Sequence, residues 1–72
     1  MKYYVIMDYK DLVIFDSSKE HYLFCEDLEW NNIYFETFTS DDVEEEVIYD
    51  EDGYQQDIQW FITDSKGNKY YI

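Results

Sequence analysis

Seventy-two residues fit one small domain, about 11 Å in radius of gyration, and a lone cysteine with no Cys/His cluster excludes an internal disulfide and a structural zinc. Eighteen Asp and Glu against five basic residues give a formal charge of −13, which excludes nucleic acid as a direct ligand. Nine Tyr, five Phe and two Trp supply bulky core material and exclude a disordered acidic tail.

The apolar run Tyr3-Tyr4-Val5-Ile6-Met7 stops at Asp8. It is too short for a membrane span or a signal-peptide core and reads as a first strand. Together with the single cysteine, this sets the expectation of a cytoplasmic protein with no membrane partner. Residues 2–9 and 11–16 are both strand-length, and the polar break from Asp8 to Asp11 folds one back on the other.

Residues 18–28 carry two opposed signals. Ser17 and Glu20 have capping-box spacing, and Phe24 and Leu28 share a helical face. His21-Tyr22-Leu23-Phe24-Cys25 has the aromatic content of a strand, and strand is the preferred reading. A less regular strand follows around Ile33–Phe38. From Thr39 to Ile48, a capping residue, acids in the first turn and the i, i+4 pair Val43/Val47 predict a short acidic helix over 40–48.

The C-terminal third is clearer. Tyr54, Gln56, Ile58, Trp60 and Ile62 alternate with Gln55, Asp57 and Gln59, the period of a strand with one face on a core. Trp60-Phe61-Ile62-Thr63 and Lys69-Tyr70-Tyr71-Ile72 flank Asp64-Ser65-Lys66-Gly67-Asn68, a hairpin with glycine at the left-handed position. The expected fold is a β-dominated α+β domain: a small antiparallel sheet of about five strands with at most one short acidic helix near 40–48.

No constellation of reactive groups stands out. His21 and Cys25, four residues apart, would share one side of a helix, but no basic residue between 20 and 65 would lower the thiol pKa. Asp50-Glu51-Asp52-Gly53 has the look of a calcium loop, yet aligning Gly53 with that loop's glycine puts Ile48 and Gln59 where acids are needed. The sequence therefore predicts no catalytic residue, no metal site and no cofactor, and a protein that is not an enzyme.

The charge distribution carries the functional expectation. Fifteen carboxylates lie between Glu20 and Asp64 without one Lys or Arg; the lysines are at 2, 10, 19, 66 and 69. Solubility is served by a net charge of about 2 to 8 in a small domain, and the excess costs folding free energy through self-repulsion. Duplex DNA carries one charge per roughly 1.7 Å of axis, so fifteen charges at that density would span about 26 Å, close to the width of such a domain. A groove lined with Lys and Arg would meet such a surface as it meets phosphates, and the expected action is competitive occlusion of a nucleic-acid site. The partner-binding residues predicted on this ground are Asp41, Asp42, Glu44, Glu45, Glu46, Asp50, Glu51, Asp52 and Asp57, with Glu26, Asp27 and Glu29 as a second group. Tyr49, Tyr54 and Trp30 lie beside these clusters as candidate aromatic anchors, Tyr49 with the partner-binding set.

In size, acidity, aromatic richness and strand pattern the chain resembles small phage-encoded inhibitors that mimic DNA: anti-CRISPR proteins, anti-restriction proteins and uracil-DNA glycosylase inhibitors. The segment Trp60-Phe61-Ile62-Thr63-Asp64-Ser65-Lys66-Gly67-Asn68-Lys69 is similar in pattern to the final hairpin of a glycosylase inhibitor. The resemblance implies an inhibitor of a host-defence or DNA-processing enzyme, acting in the cytoplasm of a bacterial cell. The expected partner is a basic nucleic-acid-binding protein such as a nuclease or glycosylase, with a homodimer left open. An immunity protein or antitoxin of a basic nuclease, or an acidic regulator docking on a polymerase-type machine, would use the same charge.

Overall fold

The computed structural model describes all residues from Met1 to Ile72. It contains six strands and one α-helix: β1 (Tyr3–Met7), β2 (Asp11–Phe15), α1 (Ser18–Trp30), β3 (Phe35–Thr39), a 3-10 turn (Ser40–Asp42), β4 (Glu44–Tyr49), β5 (Gln55–Thr63) and β6 (Lys69–Tyr71). The strands form two antiparallel three-stranded sheets, β2-β1-β3 and β4-β5-β6, in place of one sheet of about five. The chain divides into two compact units, Met1–Asp42 and Val43–Ile72. No helix is long and apolar enough to cross a membrane. The sheet-dominated α+β class expected from the sequence is present, but the helix is in a different place.

In the first unit, β1 is the central strand, with Val5 opposite Val13 on one side and Thr37 on the other. Tyr4, Val5 and Ile6 are buried. The β1–β2 turn is tight: the Lys10 N–H donates to the Met7 carbonyl, and Asp8 and Tyr9 both have positive φ, at 52° and 56°. A left-handed tyrosine is sterically costly. Here its ring stacks on Tyr34 at 4.6 Å and the neighbouring Asp8 N–H donates to the Tyr34 carbonyl, which fixes the turn.

Residues 18–30 are helical, overturning the strand preferred for 18–28. The Ser17 hydroxyl accepts the Glu20 N–H at 3.4 Å, so the capping spacing is used. His21, Phe24, Cys25 and Leu28, at i, i+3, i+4 and i+7, turn toward β1 and β2. His21 stacks on Tyr3 at 5.1 Å, Phe24 meets Phe15 at 5.0 Å, and Leu28 is buried. As a strand, this segment would place those four residues on alternating faces and bury half of them at most. The helix ends on Asn31-Asn32. Asn32 takes a left-handed φ of 57°, its N–H donates to the Glu29 carbonyl and the Ile33 N–H donates to Leu28, the two bonds of a Schellman stop.

The helix expected over 40–48 is absent. The Asp42 carboxylate accepts the Thr39 N–H at 2.9 Å and the Thr39 hydroxyl accepts the Asp41 N–H at 3.3 Å, which tightens the chain into a 3-10 turn before β4. A helix would place Asp41 and Asp42 three and four residues from Glu44, Glu45 and Glu46, where like charges repel. A strand sends neighbouring glutamates to opposite faces and lets Val47, Ile48 and Tyr49 pair with β5.

The second unit is a three-stranded meander whose two turns are copies of each other. Asp50-Glu51-Asp52-Gly53-Tyr54 and Asp64-Ser65-Lys66-Gly67-Asn68 both begin with Asp and have glycine at the fourth position, with φ of 84° and 86°. In each, the Asp carbonyl accepts the glycine N–H at 3.1 Å, and one Asp oxygen accepts the N–H groups two and four residues on. This is a type I turn followed by a left-handed glycine, one of the favoured hairpin connections. The segment that looked like a calcium loop is the first of these turns.

Two stability measurements check these assignments. Ser17→Ala is expected to cost about 1 kcal/mol in urea denaturation, with Ser17→Asp retaining most of it. A Cβ at Gly53 or Gly67 would meet no atom within 4 Å, so alanine at either position carries only the backbone penalty, about 1 kcal/mol, and the same loss is expected for both; unequal losses would mean that the turns are not equivalent.

Candidate functional site

The second unit gathers seven of the predicted acids. Pairing puts Glu44 opposite Phe61, Glu46 opposite Gln59 and Ile48 opposite Asp57. Glu44, Glu46 and Asp57 therefore share one face of the sheet and run toward the turn carrying Asp50, Glu51 and Asp52. Glu45 stands on the other face, opposite Trp60. The triplet Glu44-Glu45-Glu46 is thus divided two to one. All seven are exposed except the half-buried Glu46, and Tyr49 and Tyr54 flank the turn, 62% and 72% exposed.

Hydrogen bonds separate anchored from unengaged carboxylates. Glu44 accepts the Thr63 hydroxyl at 3.1 Å and Glu46 accepts the Tyr71 hydroxyl at 3.0 Å. The bond to Glu46, with burial and the carboxylate's charge adding, pushes the Tyr71 phenol above its ordinary pKa. Asp57 accepts the Ile58 N–H at 2.7 Å. Asp50 is a turn former, one oxygen taken by the Asp52 and Tyr54 N–H groups. Glu45, Glu51 and Asp52 make no side-chain hydrogen bond. The ion pairs Lys2–Asp16 and Lys10–Asp8 involve none of the predicted acids. Lys69, opposite Thr63, lies with its ammonium 4.6 Å above the Phe61 ring and bounds the acidic row at the Glu44 end.

Asp64 was not predicted and is the best-connected acid in the unit. It is 5% exposed and accepts the N–H groups of Lys66 and Asn68 on one oxygen, at 2.9 and 3.0 Å. Its other oxygen accepts the Asn68 amide and the Tyr70 hydroxyl, at 3.0 and 2.8 Å. Burial pushes its pKa up, but the bonds from Asn68, Tyr70 and Lys66 outweigh it and hold the carboxyl at about 2. The signal in the sequence was the Asp-x-x-Gly repeat shared with Asp50.

In the first unit, Asp41 and Asp42 lie in the 3-10 turn, with Asp42 engaged by Thr39. Glu26, Asp27 and Glu29 project from α1. Asp27 accepts the Asn31 amide at 3.4 Å, while Glu26 and Glu29 are unbonded. The helix brings the Cys25 sulfur to 3.6 Å from His21 Nε2. Burial, and then the charge of Glu29, push the thiol pKa up, away from the thiolate a nucleophile requires. No three His, Cys, Asp or Glu side chains converge where a metal ion could be held. Leu23 and Trp30, with Glu26 and Asp27, line an open groove of about 280 Å³ on the outer face of α1. Of these, Leu23 was missed because the segment read as a strand.

Comparison of the chain with family models, curated proteins and solved structures finds no match.

The linkage at Asp64 has a definite sign. Its folded pKa lies below the ordinary 3.8, so the unfolded chain binds more protons between those values and stability falls as pH drops from 3.8 toward about 2. Urea midpoints across that window should fall for the parent chain and change less for Asp64→Asn, which should already be destabilised at neutral pH. Equal slopes would remove Asp64 from this role.

Proposed function

We propose that the protein is a nucleic-acid mimic that binds a basic nucleic-acid-binding protein, such as a nuclease or glycosylase, and occupies the groove meant for DNA. The observation that carries this reading is the row of exposed Glu44, half-buried Glu46 and exposed Asp57 leading into the Glu51-Asp52 turn, with no lysine along it before Lys69. A β-strand advances about 3.3–3.4 Å per residue and each DNA strand about 3.4 Å per phosphate. Glu44 and Glu46, two residues apart on one face of β4, are therefore spaced by about two phosphate steps along the axis of one DNA strand, and Asp57, on β5 opposite Ile48, continues the row toward the acidic turn.

Preorganisation supports the same reading. Thr63 and Tyr71 hold Glu44 and Glu46 through one oxygen each and leave the other for a partner. A carboxylate fixed before association loses less side-chain freedom on binding. Tyr49 and Tyr54, exposed beside the turn, offer apolar area next to the charge, as binding hot spots do. Mimicry of this kind inhibits by exclusion and needs no chemistry at the site.

The test is capture of partners on the immobilised protein at low salt, followed by elution with duplex DNA. A basic nucleic-acid enzyme should be released by duplex, and Glu44→Gln/Glu46→Gln/Asp57→Asn should lower its association rate by roughly ten-fold or more, since steering acts on that rate. A partner that duplex cannot displace would identify a docking factor and sink the mimicry.

A further inference from the structure

The outer face of α1 presents a different chemistry from the acidic hairpin. Trp30 is 87% exposed, the most exposed large apolar side chain in the molecule, and Leu23 is 53% exposed. With Glu26 and Asp27 between them, they fall at i, i+3, i+4 and i+7 and line the same groove of about 280 Å³. Isolated exposed apolar residues are ordinary. A Leu and a Trp on one line, separated by two carboxylates, make an amphipathic surface that nothing in the first unit covers.

The electrostatics of this helix end are unbalanced in one direction. The C-terminus of a helix carries partial negative charge and favours cations, yet the last turn of α1 holds no basic residue. Glu26, Asp27 and Glu29 add three more negative charges there. The Asn31 amide, donating to the Asp27 carbonyl at 2.8 Å, is the cap that the side chains provide. The cation on this helix, Lys19, lies seven residues before Glu26, about 10 Å along the axis. A second copy of a chain of charge −13 is repelled by this face, as is an anionic lipid surface or a nucleic acid. What fits is a cation carried on an apolar stem.

We infer that the Leu23–Trp30 face of α1 is a docking site for a basic amphipathic peptide segment. An arginine of that segment lies over the Trp30 indole, with its guanidinium against Glu26 and Asp27 and its methylenes toward Leu23. Arginine suits the site better than lysine because its planar group both stacks on an aromatic ring and forks onto carboxylates. This inference is independent of the proposed mimicry, since it uses the first unit alone and an apolar anchor that phosphate imitation does not need.

The test uses the full chain and a fluorescein-labelled helical peptide with arginines beside a leucine face, read by anisotropy at moderate salt. Saturable binding is expected. It should weaken about two-fold to thirty-fold in Trp30→Ala, the range a cation–π contact spans, and also weaken in Glu26→Gln/Asp27→Asn. A peptide with glutamine for arginine should not bind, and Glu44→Gln/Glu46→Gln/Asp57→Asn should bind as the parent does. Trp30 is too exposed for its loss to unfold the helix, and the acid pair removes repulsion, so circular dichroism should match the parent for both. No binding, affinity within two-fold of the parent in Trp30→Ala, or an equal loss in the hairpin variant would overturn the proposal. So would a concentration-dependent dimer abolished by Trp30→Ala, which would assign the face to a second copy. The hairpin variant keeps failure of this site distinguishable from failure of the mimicry.

Discussion

From Glu20 to Asp64 the chain offers its carboxylates no cationic side chain, and neutral donors take that place. Backbone N–H groups, at turns and for Asp57 within β5, and the hydroxyls of Thr63, Tyr70 and Tyr71 bind Asp42, Glu44, Glu46, Asp50, Asp57 and Asp64. A hydrogen bond to an ionised acceptor is stronger than one between neutral groups. The negative charge that opposes folding through self-repulsion is thereby used to form turns and to tie β6 to β5 and β4. The tyrosines serve this role as well as packing, because a phenol offers a large apolar ring and a donor at its tip.

That division of labour separates the acids into structural and available sets. Asp50 and Asp64 close the twin turns; Asp64, buried with both oxygens engaged, has little left to offer a partner, whereas Asp50 is exposed and spends one oxygen on its turn. Glu45, Glu51 and Asp52 are exposed and unengaged, and Glu44, Glu46 and Asp57 are exposed or half-buried and held through one oxygen. Position on β4 also matters. The strand pairs with β5 alone, so its other edge carries no strand partner, and three consecutive glutamates there discourage edge-to-edge association with another chain. The same charges guard the edge and supply the proposed recognition surface.

The two units present their charge differently. The meander sets carboxylates in a row beside exposed tyrosines, whereas α1 sets them between a leucine and a tryptophan at a helix end of the same sign. A row of charges suits a polyanion's groove. A charged notch with an aromatic wall suits a single cationic side chain. Both proposals call for a positive partner, and they differ in whether its affinity would come mainly from steering or from an anchored contact.

The sequence by itself determined the antiparallel, sheet-dominated class, the first hairpin, the strand through Ile58, Trp60 and Ile62, and the C-terminal hairpin. These rest on local signals: period-two alternation and a glycine at a left-handed turn position. It also determined the charge and the stretch that holds it. Tertiary structure decided whether 18–28 and 40–48 were helix or strand, and both segments took the state opposite to the one preferred from sequence. In each, local preferences were nearly balanced, so the outcome turned on which conformation could turn His21, Phe24, Cys25 and Leu28 together toward β1–β2, and which gave Val47 and Ile48 a partner strand. The capping pair Ser17/Glu20 was legible and outweighed by aromatic content, and the stop at Asn31-Asn32 emerged only with the structure. Only the folded register could assign Glu44 and Glu46 to one face and Glu45 to the other, because side-chain direction in a strand is fixed once pairing is fixed.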